Sequence, residues 1–141
     1  MNSGNEHRTQ GSFPRRIDVL DRVFALIEEF FDGKEIAPAH LFTIKLAVEE
    51  LFTNLVKYNK DTDREIEIEL EQGDDRVTIS LTDFDVEPFD ITNVAAPELD
   101  IPLEQKRPGG LGIHLVKQMV DQVSYEYVDR RSKTTLIKLL R

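Results

Sequence analysis

Glu50 and Asn54 stand four residues apart in EELFTNLVKY, a spacing that sets both side chains on one side of a helix. A carboxylate beside a carboxamide can accept a proton and ligate a hard cation. Magnesium takes oxygen ligands and is usually held by few protein groups together with phosphate oxygens. Glu49, Thr53 and Lys57 lie beside the pair. The plainer reading of the same residues is a solvated helix face with an ordinary Glu–Lys pair. A second candidate follows the strand-like run Val77–Leu81, which leads into Thr82-Asp83-Phe84-Asp85. Acidic groups at a strand end can accept hydrogen bonds from an exocyclic amine such as that of adenine. A turn-forming aspartate cluster would look the same locally. The third is GGLGIHLVKQ, where Gly109, Gly110 and Gly112 precede an apolar, helix-compatible run. Glycines at a helix mouth let backbone N–H groups approach an anion, and the positive end of the helix dipole adds to the attraction. No Gly-Lys-Ser/Thr follows, so this is not a Walker loop, and it is not the dinucleotide fingerprint after a first strand. A hinge or a plain helix cap is the alternative. His114 falls in the first turn after the glycines, where a surface position is the plain reading and a phosphate neighbour or base the functional one. The serines at 12, 80, 124 and 132 have no patterned His–carboxylate companions, so nucleophilic catalysis gains no support.

These residues need elements to hold them. Apolar residues at Ile17, Leu20, Val23, Phe24, Ile27, Phe30 and Phe31 predict a helix buried on one face and stopped near Asp32-Gly33. Pro38 suits a first helical position, and Leu41, Ile44, Val48, Leu51 and Leu55 continue a second helix over roughly 38–58. The period then changes to two. Ile66, Ile68 and Leu70 alternate with glutamates, and Val77, Ile79 and Leu81 with polar residues, which predicts a hairpin turned by QGDD. Residues 84–109 carry four prolines and no sustained period, as a functional lid would. Leu111, Leu115, Val116, Met119 and Val120 predict a third helix, and VSYEYV and TTLIKLL a closing hairpin. Residues 1–14 read as a tail or a short edge strand, and 15–141 as one domain. The order predicts an α+β fold, a two-layer sandwich of three helices on one face of a mainly antiparallel sheet.

Composition narrows the classes. The chain has 141 residues, no cysteine and a formal net charge of −9. That excludes disulfides and thiol chemistry, and argues against direct nucleic-acid binding. No apolar run reaches the roughly 20 residues of a membrane helix, and the polar first dozen residues hold no secretory apolar region. A cytoplasmic protein is expected.

In this order, Glu-x-x-x-Asn on a helix, a hairpin ending in Asp, a long loop, Gly-x-Gly opening a helix and a Thr-bearing last hairpin strongly resemble the Bergerat-fold ATPases, among them type II topoisomerases and sensor histidine kinases. The likeness covers about residues 15–141. AVEELFTNLVKY, PFD at 88–90, GGLGIHLVKQMVDQVSYE and TTLIKLL look most like the bacterial anti-sigma-factor serine/threonine kinases of partner-switching systems. The resemblance implies ATP and Mg2+ as cofactors, phosphorylation of an anti-anti-sigma antagonist, and sequestration of a sigma factor, with dimers frequent in the family. It implies Glu50 as general base, Asn54 as the magnesium ligand, and Lys57 as a basic position found in related kinases. Asp83, or with less support Asp85, would read adenine. Gly110, Leu111 and Gly112 would hold phosphate, and Thr135 would lie near adenine. The chain departs from the pattern where the first glycine box, ordinarily Asp-x-Gly, reads Asp83-Phe84-Asp85-Val86. The step to Pro88-Phe89-Asp90 is one residue longer than usual, and Lys133 stands where glycine often precedes the threonines. A protein-binding module that keeps the scaffold but binds ATP weakly or not at all, through Asp85 and Val86, is the alternative.

Overall fold

A computed structural model describes residues 7–59, 62–88 and 110–140. Five strands form one antiparallel sheet in the order β1-β2-β3-β5-β4, with β1 at His7–Phe13, β2 at Ile66–Gln72, β3 at Arg76–Phe84, β4 at Gln122–Val128 and β5 at Arg131–Leu139. A single 3-10 turn at Ile17–Val19 leads into α1, Leu20–Phe31; α2 runs from Pro38 to Tyr58 and α3 from Gly110 to Met119. The N-terminal segment is thus an edge strand from His7 onward. Most of the loop expected over 84–109, from residue 89, lies outside the described residues, as does Gly109.

Register decides which side chains meet the helices. Ile68 faces Leu81, and Leu70 faces Ile79, across β2 and β3; Ile79 faces Leu136, Leu81 faces Thr134 and Asp83 faces Ser132 across β3 and β5. Direct partners in an antiparallel pair project to the same face. One face of the sheet therefore carries Ile66, Ile68, Leu70, Val77, Ile79, Leu81 and Leu136, all buried. Against it pack Val23, Ile27, Phe30 and Phe31 of α1, Ile44, Ala47, Val48, Leu51, Phe52 and Leu55 of α2, and Val116 of α3. The sandwich is α+β as expected.

Each helix has a local reason for its limits. Apolar residues three and four apart give α1 its buried stripe. Gly33, with φ of 76°, lets the chain leave α1 in the left-handed region while Lys34 N–H donates to the Phe31 carbonyl at 3.0 Å. Pro38 opens α2, where its fixed φ suits the helix and its missing N–H costs nothing. No helix among the described residues is long and apolar enough to cross a membrane.

Candidate functional site

The buried stripe of α2 steps through Ile44, Ala47, Val48, Leu51 and Leu55, and Asn54 lies within it at 3 % exposure. A carboxamide there must satisfy its donors and its acceptor. The Asn54 Nδ2 donates to the carbonyl of Glu50 one turn back. Thr53 donates to the Glu49 carbonyl at 2.8 Å and lies 3.2 Å from that of Glu50. Because Nδ2 must face the Glu50 carbonyl, the oxygen end is turned away from it. Asn54 Oδ1 is buried and has no hydrogen-bond partner among the described residues. An unsatisfied buried acceptor costs about 1–3 kcal/mol, so a cation or donor supplied from outside would be stabilised there. Glu50 is half-buried, one turn N-terminal to Asn54, and Lys57 is exposed one turn beyond.

The end of β3 meets the end of α2. Asp83 continues the inward series Val77, Ile79, Leu81 and is wholly buried. Its Oδ2 accepts from Asn59 Nδ2 at 2.8 Å, and its other oxygen pairs with the Arg15 guanidinium. Arg15 comes from the link between β1 and α1. It also donates to the carbonyls of Leu55 at 3.2 Å, Asn59 at 2.9 Å and Arg64 at 3.0 Å. A cation at the last carbonyls of a helix is favoured by the dipole as well as by the hydrogen bonds. One side chain thus ties the first link, the C-terminal turn of α2 and the end of β3.

Asp85 has φ of 61°, the left-handed region in which aspartate is among the few tolerated non-glycine residues. This is the conformation a glycine of an Asp-x-Gly box supplies. Its carboxylate is exposed and points to the β4–β5 turn, where it accepts from Arg130 Nε at 2.9 Å. Arg130 also donates to Glu87 at 2.7 Å, and these bonds, that to Asp85 first, raise its pKa further above the ordinary arginine value. Tyr127 O–H donates to the Val86 carbonyl at 2.7 Å, and Val86 N–H to the Arg130 carbonyl at 3.1 Å. The segment after β3 is therefore clamped to the hairpin, with the extra side chain directed outward. Asp85→Ala should cost about 1–2 kcal/mol, since alanine tolerates a positive φ poorly and removes the carboxylate that Arg130 Nε pairs with. Asp85→Gly should stay within about 0.5 kcal/mol of the parent, losing the exposed pair but relieving the backbone. Urea unfolding of both variants measures the difference.

Gly110, Leu111 and Gly112 form the first turn of α3, so their backbone N–H groups are among those a helix leaves without internal partners. His114 follows in α3, half-buried. The α3 helix packs against α2, the helix that carries Glu50 and Asn54. A histidine kinase-like ATPase domain model matches residues 13–138. The chain belongs to that family.

No curated protein matches the chain in sequence. Among solved structures, this histidine kinase-like ATPase domain is similar to the RsbU and RsbW domains of Rv1364c from Mycobacterium tuberculosis. The TM-score is 0.65 at 17 % identity, over 95 % of this chain and 33 % of that one. The chain spans about a third of that solved chain's length. The histidine kinase domain of the blue-light activated histidine kinase of Erythrobacter litoralis EL346 aligns at a TM-score of 0.47. Its identity is 16 %, over 90 % of this chain and 61 % of that one.

The threonine expected near the base needs a correction of register. Thr135 pairs with Ser80 on the open face of the sheet, whereas Thr134 pairs with Leu81, is 3 % exposed and shares the helix-covered face with Asp83. A slip of one residue reverses the face of a strand side chain, so Thr134 is the threonine on the face of Asp83 in this ATPase domain. The groove of about 310 Å3 lined by Glu67, Thr82, Glu126 and Lys133 lies on the open face, across the sheet from Asn54 and Asp83.

Arg15, Asn59 and Thr134 were not legible as site residues from local pattern. One signal pointed to a partner for Asp83: period-two alternation places it inward after Val77, Ile79 and Leu81, and a buried carboxylate requires a cation or several donors. The donor set at Asn54 fits magnesium, which accepts a neutral carboxamide oxygen and keeps most of its other ligands from water and phosphate. The start of α3 fits a phosphate.

Proposed function

We propose that this domain is an ATP-binding protein serine/threonine kinase of the anti-sigma-factor type. It would transfer the γ-phosphoryl group to a hydroxyl of an anti-anti-sigma partner and hold a sigma factor inactive. The single observation that carries the reading is the buried, unpartnered Oδ1 of Asn54, one helical turn from Glu50. Family membership and the glycine-initiated α3 support it.

Bound magnesium supplies charge neutralisation at the phosphate oxygens, and phosphoryl transfer depends mostly on such neutralisation and on positioning. Asn54 contributes a ligand oxygen, and its donor bond to the Glu50 carbonyl fixes the direction of that oxygen. The first-turn N–H groups of α3 would hold phosphate, and the exposed Lys57 would add a positive charge. Glu50 accepts the proton of the partner's hydroxyl while that oxygen bonds to phosphorus and the bond to the β–γ bridging oxygen breaks. Thr134 and Asp83, which share one buried face, would read the base. A cytoplasmic location and pairing with a second copy go with this reading.

A second reading, a protein-binding module with weak or no ATP affinity, is favoured by one observation: both oxygens of Asp83 already have partners. Calorimetry with MgATP and a phosphotransfer assay on the antagonist protein separate the two. Micromolar binding with phosphoserine or phosphothreonine on the antagonist is expected. Millimolar or absent binding without transfer would leave the module.

A further inference from the structure

Resting on the nucleotide-binding reading, we infer that Arg15 is a specificity-determining residue: its guanidinium occupies the carboxylate that would read an exocyclic amine, so a base is admitted only as Arg15 changes partner. Asp83 is wholly buried, and its oxygens are engaged by Asn59 and by Arg15, whose own side chain is 9 % exposed. A neutral amine is a weaker donor to a carboxylate than a guanidinium. An adenine-like base therefore cannot displace Arg15 on hydrogen bonding alone; the cation needs a second anionic position.

The fold provides one. Arg15 also borders a surface hollow of about 450 Å3 lined by Pro14, Val56, Asn59, Thr62, Asp63 and Glu65. Asp63 and Glu65 are exposed carboxylates at this hollow. A guanidinium that leaves Asp83 can turn toward them without entering water unpaired. The device has two positions, with Arg15 inward on Asp83 or outward on Asp63 and Glu65. A ligand bearing an exocyclic amine selects the outward one, and the phosphate end of the site is indifferent to the choice.

The test compares MgATP with magnesium tripolyphosphate, which has no base, on the full chain. Arg15→Met should tighten ATP binding roughly tenfold, the equivalent of one charge-assisted competitor, and leave tripolyphosphate unchanged. The exposed double variant Asp63→Asn/Glu65→Gln, which leaves the buried pair intact, should weaken ATP several-fold and again spare tripolyphosphate. An unchanged ratio of ATP to tripolyphosphate affinity in both variants would overturn the inference and leave the nucleotide reading standing. If no variant and not the parent binds either ligand, the nucleotide reading fails and the inference with it.

Discussion

Glu50→Gln should bind MgATP as the parent does and lose phosphotransfer by about 10²–10⁴-fold, the usual contribution of a positioned general base. The reasoning is spatial. Glu50 lends its backbone carbonyl to Asn54, and that bond survives any side-chain change at position 50. Its own side chain is half-buried and is not the group that Asn54 bonds. Glutamine keeps the size and removes the proton acceptor, so the loss should fall on the transfer rate and not on the dissociation constant. Quenched-flow measurement of phosphorylated antagonist, beside calorimetry on the same preparation, separates the two quantities. A Glu50→Gln protein that transfers phosphate at the parental rate would remove Glu50 from the chemistry.

The largest expected effect on stability comes from Asp83. Asp83→Ala leaves the Arg15 cation, 9 % exposed, without its carboxylate partner. Breaking one side of a buried pair costs about 3–5 kcal/mol, a large share of the 5–15 kcal/mol that holds a domain folded. For a chain of this size the melting temperature should fall by roughly 10–20 °C. The double variant Arg15→Met/Asp83→Ala removes both charges and should recover much of the loss, because the penalty is that of an unpaired buried ion. A melting temperature for Asp83→Ala within a few degrees of the parent would show that Arg15 turns outward, to Asp63 and Glu65 or to water, at little cost.

Much of this arrangement could be read from residue order. Pro38 and the apolar steps through Leu55 bounded α2, since a proline start and a one-sided stripe are local facts. The β2–β3 hairpin was legible because its aliphatics alternate with glutamates in β2 and with threonine and serine in β3. Strand β1 was harder. Its inward positions include Thr9 and Gly11, so no apolar alternation marks it, and it exists because the edge of β2 offers it a ladder of partners from His7 opposite Gln72 to Phe13 opposite Ile66. Thr135, the threonine expected near adenine, lies on the face away from Asp83 for a related reason. Leu136 and Ile137 are both apolar, so the pattern does not say which parity faces the helices, and only the pairing of Leu136 with Ile79 decides it. Arg15 was beyond local reasoning, its partner Asp83 lying at the end of β3, far along the chain. Asp85 is the converse case. The missing glycine was visible in the sequence, and the backbone keeps the glycine's left-handed conformation with an aspartate whose side chain turns to Arg130.

The role of α2 is tested most directly by the magnesium dependence of ATP binding in Asn54→Ala. For the parent, calorimetry with ATP in excess magnesium should give distinctly tighter binding than ATP in a chelator. For Asn54→Ala the two affinities should converge on the magnesium-free value. Retention of the full magnesium effect by Asn54→Ala would contradict the account, because the buried oxygen would then hold no ion.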